Sequence, residues 1–362
     1  MRIIILIFLV LSAKMLLAQP YYFKHYQVEH GLSNNSVFSN VQDQSGFMWF
    51  GTKDGLNRFD GYSFKTFRHD PAIPGSLGSD KIHSLLSDKT AGLWIGTDRG
   101  IYQFNPNKET FSPLKETLQM AISTIQIDLD GNLWILSNGR IYTYNPSRKI
   151  FSPIKLENSF FANTLYCRPN GQIVITSYDA RIAAYHPVSN SFVTFHEFNT
   201  GTNQPIGNIS AITETSDQQL LIGTSNKGIK LFNLKTKTLK ELITLNEDKT
   251  NIFVRDVQAL NNDEFWVGTE SGLYIYNHSN GKITHLQKQY SNPYTLSDNA
   301  IYTLCSDKDG GIWMGTYFGG VNYYSSTAAI FTKYFPMQQQ NSISGSDVRE
   351  ICKDKNGNFW IG

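Results

Sequence analysis

"GFMWFGTKDGLNRFDG", residues 46–61, is the stretch that decides the fold. Alone it looks like a loop built to grip a ligand, with its glycines, Trp49, Asp54, Arg58 and Asp60. The motif is not alone, however. It recurs as "GLWIGT", "GNLWIL", "EFWVGT", "GIWMGT" and "GNFWIG", and these six segments hold all six tryptophans: Trp49, Trp94, Trp134, Trp266, Trp313 and Trp360. In the gap after Trp134, "GQIVITS" puts Val174 at the Trp place and "QLLIGTS" puts Leu221 there. Successive steps are then 45, 40, 40, 47, 45, 47 and 47 residues, eight copies of one unit.

Each copy reads as four short strands. A run such as "VFSNVQD", "KIHSLLSD" or "AIYTLCSD" ends in a turn, "DQSG", "DKTAG" or "DKDG". The Trp strand follows, then a second turn and a third strand, "LNRF", "IYQF", "LYIY" or "VNYY". A looser fourth strand is "SFKTF", "SFVTF" or "KITHL". Short strands divided by Gly, Asp and Asn turns are antiparallel hairpin chemistry. Four of them in about 40–50 residues make a propeller blade. The expected fold is therefore all-β, a β-propeller of four-stranded antiparallel blades. A blade buries its faces only against its neighbours. The Trp is expected between blades, a packing role that Val174 and Leu221 can fill at some cost.

The start, "YYFKHYQVEHGLSNNSV", resembles "IFTKYFPMQQQNSISGSDV" seven repeats later. That offset predicts that Phe23–Tyr26 supplies the outer strand of the seventh blade. Residues 19–330 then form one seven-bladed propeller, and residues 331–362 begin a second, opened by Phe331–Phe335. A chain stopping at "NFWIG", inside a Trp strand, is expected to be a fragment of a longer product.

Aromatics make up 13% of the chain and charged residues 17%, a mix that favours strands over helices. The N-terminus, "MRIIILIFLVLSAKMLLAQP", has a basic residue, a short apolar run and Leu16-Leu17-Ala18 before Gln19. It reads as a signal peptide of residues 1–18, with an uncleaved anchor as the alternative. Its removal takes Arg2 and Lys14, leaving 30 basic against 30 acidic residues. No basic cluster remains to track phosphates, so nucleic acid is not an expected partner. Cys167, Cys305 and Cys352 are too few for a disulfide scaffold. Cys305 and Cys352 each stand eight residues before a repeat Trp, which predicts buried strand positions rather than metal ligands.

Features with catalytic or ligand chemistry were weighed against packing. "DLDGN" at Asp128 and "DKDGG" at Asp307 resemble the start of a calcium loop, but the twelfth positions are Gly139 and Phe318, not a bidentate acid. They read as turns. Gly55, Gly100, Gly272 and Gly319 follow the Trp strand and are expected to supply positive φ in hairpins rather than a phosphate cradle. The eight histidines have no metal-ligand spacing. Inner-strand starts (Ser36-Val37, Lys81-Ile82, Ala121-Ile122, Asn208-Ile209, Ala300-Ile301, Asp347-Val348) show no ring of ligands. No catalytic residue, metal or cofactor is expected. The surplus Tyr and Phe could offer stacking faces for sugars, although packing explains most of them.

The combination of an N-x-V strand, D-x-x-G turn, W-x-G-T, D-G-L and F-D-G followed by F-x-x-F resembles the two-component regulator propeller repeat. The resemblance runs from about Tyr21 to Gly362 and is weakest around Trp134, Val174 and Leu221. It implies the periplasmic sensor region of a hybrid two-component histidine kinase of the Bacteroidetes type. Such proteins usually carry fourteen repeats in two seven-bladed propellers, followed by a β-sandwich domain, a membrane helix and a kinase core. The implied role is detection of oligosaccharides and control of glycan-utilisation genes through a phosphorelay. A homodimer in the intact sensor and inner-membrane attachment through later parts are implied too. These residues hold no phosphoacceptor-His motif or ATP-binding glycine boxes. An exported propeller enzyme of lyase or lactonase type is the alternative.

Overall fold

The computed structural model describes residues 21–88, 92–157, 159–199, 206–325, 333–336 and 342–362. The expected signal peptide lies outside the described residues, as do Phe331 and Thr332. Seven four-stranded antiparallel sheets make the ring. Six are built from consecutive strands, at 37–67, 82–113, 122–154, 162–197, 209–243 and 254–286. The seventh has three consecutive strands, Ile301–Ser306, Ile312–Thr316 and Val321–Tyr324, and takes its fourth from Phe23–Tyr26. Phe23 pairs with Tyr324 and Tyr26 with Val321. The first strand of each blade touches the first strand of the next, and that of blade 7 touches blade 1, so the ring is shut. Two single-turn 3-10 helices, Val28–His30 and Lys115–Thr117, are the helical elements among the described residues.

The repeat motif can be read atom by atom. Trp49 packs against Phe104 of the next blade, with ring centres 4.9 Å apart, and Trp134 against Tyr185 at 4.6 Å. Trp49, Trp94, Trp134, Val174, Leu221, Trp266 and Trp313 are all buried. In five of the seven blades the residue two places on is Gly, because the next blade arrives there, and blade 4 has Thr176. A Cβ at Gly315 would lie 2.7 Å from Val37 Cγ1, and one at Gly51 would lie 2.6 Å from Ile82 Cγ2. Blade 3 has Leu136 at this place, and the facing residue of blade 4 shrinks to Ala162; the two share one core cluster. The Thr that follows turns the chain, as Thr52 Oγ1 donates to Gly55 O and accepts from Asp54 N.

The Asp of the D-x-x-G turn holds the wedge in place. Asp43 Oδ2 accepts the indole N–H of Trp49 at 2.7 Å, while its Oδ1 accepts Phe47 N. Asp128 with Trp134 and Asp307 with Trp313 repeat the bond at 2.8 and 2.9 Å. The turns that resembled calcium loops thus direct their carboxylates at their own blade.

Three expectations need correction. The positive φ of the last hairpin belongs to Gly320 (φ 74°), not Gly319. There Thr316 caps Gly320 O, four residues on, where Thr52 caps Gly55 O three residues on; the longer hairpin moves the left-handed position. Trp360 is 67% exposed and Cys352 is exposed too. They sit on an isolated hairpin, Ile351–Lys353 with Phe359–Ile361, with no further strand paired to it among the described residues. Lys333–Phe335 adopts no strand; Phe335 packs edge-on to Tyr294 at 5.1 Å.

Candidate functional site

The innermost strand of every blade carries a bulge between its first and third residues. A bulge leaves one residue unpaired and re-aims it. The seven bulge residues are Phe38, His83, Ser123, Asn163, Ser210, Arg255 and Tyr302, and all line a central channel of about 510 Å³. They stand at one mouth of it. There, in five blades, the hairpin after the Trp strand is tied to the residue preceding the inner strand, as Glu270 N donates to Phe253 O and Tyr317 N to Ala300 O. The fold thus gathers three positions per blade at one rim.

The rim is uneven. At blades 7 and 1, Tyr302 stacks on Tyr317 at 5.1 Å, Phe38 lies 6.2 Å from Tyr302, and Phe318 meets Tyr317 edge-on at 4.4 Å. The Arg255 guanidinium sits 4.7 Å above the Tyr302 ring and is paired with Glu270. Phe318 is 72% exposed, and Phe161 and Tyr178 from blade 4 are exposed as well. In blade 2, next to the blade of Phe38, His83 faces the channel beside Lys81 and Asp98. Burial, and then Lys81, hold its imidazole below its usual pKa, so the ring is neutral at pH 7.

Deeper in the wall, the third residue of the inner strand ties some blades to the next. Ser84 Oγ accepts Ile125 N at 3.0 Å. Asp256 accepts both Leu304 N of the next blade, at 2.7 Å, and its own neighbour Val257 N. Blade 5 has Ala211 at the matching position, which offers no acceptor. Burial pushes the Asp256 carboxyl up to about 6 even though these two donors pull it down.

Chemically the mouth offers flat aromatic faces flanked by a guanidinium and a carboxylate. That suits a ligand with an apolar ring face and polar edges. Among the described residues, no three His, Cys, Asp or Glu side chains are placed to hold a metal ion. Sequence reasoning singled out Trp49, Trp94, Trp134, Val174, Leu221, Trp266, Trp313 and Trp360 as repeat positions, and none of them lines the channel. It did not select the bulge residues. Their common signal, the second position of each inner strand, is one of backbone geometry and not of residue type.

A family model described as two component regulator propeller matches residues 295–318 and 342–362. Histidine kinase P4 of Formosa agariphila is 46% identical over 55 residues, 15% of this chain and 4% of that protein. The fold is similar to the extracellular domain of a hybrid two-component system from B. thetaiotaomicron, with a TM-score of 0.76 and 24% identity over 95% of this chain and 47% of that one. A second such domain from the same organism gives a TM-score of 0.71 and 20% identity, covering 94% of this chain and 44% of its own. The chain thus spans about half the length of these solved domains. A streptogramin B lyase has a TM-score of 0.64 and 14% identity over 84% of this chain and 97% of its own. At such identities the likeness is one of fold. The two-component regulator propeller repeat is thus matched at residues 295–318 and 342–362, and the seven-bladed ring shares its fold with those extracellular domains.

Proposed function

We propose that this chain is the ligand-sensing region of a hybrid two-component histidine kinase. In this reading residues 1–18 export it, Ala18 being the last residue removed, and the propeller works in the periplasm. The intact parent is a homodimer in the inner membrane, and its kinase resides in another part of the protein. The ligand is an oligosaccharide, and its detection controls glycan-utilisation genes through a phosphorelay. Residues 331–362 begin a second propeller.

The observation that carries this reading is the aromatic cluster at the mouth, Tyr302, Tyr317, Phe318 and Phe38, flanked by Arg255 and Glu270. A pyranose lays its C–H face on such rings, and its hydroxyls bond the charged edges. Signalling then requires that the ligand bind two arrangements of the intact sensor unequally. The lyase reading has likeness of fold on its side. The test is calorimetric titration of the intact sensor region with a panel of glycan fragments, repeated with Tyr302→Ala and Tyr317→Ala. Binding of one fragment that weakens in both variants supports the reading. Silence of the intact region towards every oligosaccharide removes the sugar-sensing part of it.

A further inference from the structure

The two blades that lack tryptophan are neighbours, and the seam between them is built differently. At the seams that keep a Trp its ring fills the space near the bottom turns, as Trp134 does against Tyr185 and Phe192, and Trp49, Trp134 and Trp313 are each bonded to an Asp six residues earlier. At the seam of blades 4 and 5, Val174 takes the Trp place and Arg168 takes the Asp place, six residues earlier. The strand partner of Val174 is Ala184, where Trp49 has Arg58. Two large side chains have thus become small at one spot. A cavity of about 590 Å³ opens beside this spot, with Ala184 and Arg168 in its wall and Val174 buried behind them. A second, of about 650 Å³, lies toward blade 6, whose boundary with blade 5 has Leu221 at the Trp place; Arg168, Ser216 and Gln218 line both.

The lining of the first cavity has a definite chemistry. Arg168 is pinned, donating to Glu214 through Nε at 2.9 Å and NH2 at 2.7 Å, and to Gln172 through NH1 at 2.7 Å. Asp217 is engaged by Thr215 and His278. Lys235 and Lys237 have no ion-pair partner among the described residues, and the Lys237 ammonium lies 4.9 Å from the Phe195 ring. The cavity therefore presents one aromatic face, amide and hydroxyl edges, the Asp217 carboxylate and two ammonium groups that have no ion-pair partner among the described residues. Its volume falls within the range of small-molecule sites.

We propose that the vacancy left by the missing tryptophan of blade 4 is a second ligand site, and that it takes a carboxylate-bearing saccharide. The sugar ring packs on Phe195, and the carboxylate lies between Lys235 and Lys237. The saccharide half of this assignment rests on the sensing reading above; the cavity and its charge do not.

The test titrates the full chain with digalacturonate, with neutral galactobiose and with inorganic sulfate. Two variants accompany the wild type. Lys235→Ala/Lys237→Ala removes the charge, and Val174→Trp/Arg168→Asp restores the wedge and its acceptor. Digalacturonate is expected to bind best, to weaken about tenfold or more in the lysine variant, and to be lost when the wedge is restored. The melting temperature of the lysine variant should stay at the wild-type value. Equal binding of galactobiose overturns the carboxylate, and equal binding of sulfate overturns the saccharide. Digalacturonate binding that survives both variants overturns the cavity while leaving the sensing reading intact. Absence of digalacturonate binding while another glycan binds at the channel mouth does the same.

Discussion

The seam between blades 7 and 1 and the seam between blades 4 and 5 solve one packing problem in opposite ways. At the first, Trp313 and Tyr26 of blade 7 meet Phe59 of blade 1 with ring centres 5.8 and 4.8 Å apart, and the indole donates to Asp307. Asn40 Nδ2 donates to Trp313 O and Thr303 Oγ1 donates to Asn40 Oδ1, so polar groups cross the same seam. At the second, aliphatic residues replace the indole, and the Arg168–Glu214 pair, largely buried, replaces the Asp–Trp bond. The ring shuts inside blade 7, where Phe23–Tyr26 pairs with Val321–Tyr324, and residues 27–36 carry the chain from that strand into blade 1. Both seams are therefore crossed by the chain, but the 7/1 seam flanks the non-covalent closure and keeps its wedge, whereas the 4/5 seam has lost it. The difference teaches that the tryptophan is kept beside the blade that completes the ring.

The sharpest way to break this comparison is to truncate both wedges. Trp313→Ala is expected to cost about 3–5 kcal/mol, because it empties a packed site and takes the indole donor from Asp307 Oδ2. Val174→Ala, at a seam that already has room, should cost much less. Denaturant unfolding of the two variants measures both, and equal losses would end the argument that the seams differ. A smaller effect is expected at Gly315. An alanine there meets Thr303 Cγ2 at 2.5 Å and Val37 Cγ1 at 2.7 Å, which overpacks the 7/1 seam by about 1–3 kcal/mol. Adding Val37→Ala should recover part of it, as Ala162 accommodates Leu136, and a double-mutant cycle reads the coupling. The 4/5 seam has Thr176 at that place, so Thr176→Ala should be the milder change.

The subtlest prediction concerns Asp256, which joins blade 6 to blade 7. Its carboxyl stands at about 6 in the folded chain against an ordinary 3.8. The folded state therefore holds the proton more tightly, and the stability contribution is full below pH 4 and is lost as pH rises through 6. Asp256→Asn should flatten that stretch of the melting-temperature profile. An unchanged profile would show that another group carries it.

Spacing made the fold legible. Tryptophans at intervals of 40–47 residues mark the blades, and the likeness between Tyr21–Val37 and the segment after Ala329 points to the borrowed outer strand. The Asp six residues before the Trp was visible too, but as a turn residue; its bond to the indole needs coordinates. The channel mouth was less legible. Phe38, His83, Ser123, Asn163, Ser210, Arg255 and Tyr302 share no chemistry, since the bulge that aims them is a backbone irregularity that any side chain tolerates. Nor does composition separate Tyr317 at the rim from Tyr323 in the packed seam. Gly319 and Gly320 look interchangeable in sequence, and only the length of the hairpin tells them apart.

The borrowed strand also sets the order of events during folding. Phe23–Tyr26 is among the first segments synthesised, yet its partner Val321–Tyr324 is the last strand of the ring. Closure is thus a contact of very high sequence separation, and the chain must bear its loop-closing entropy before that contact returns anything. Until then blade 7 keeps an open edge, and the faces of Phe23 and Tyr26 lack their burial, the condition in which β-rich chains aggregate. The joint that makes the finished ring hardest to open is therefore also its slowest and most vulnerable step to complete.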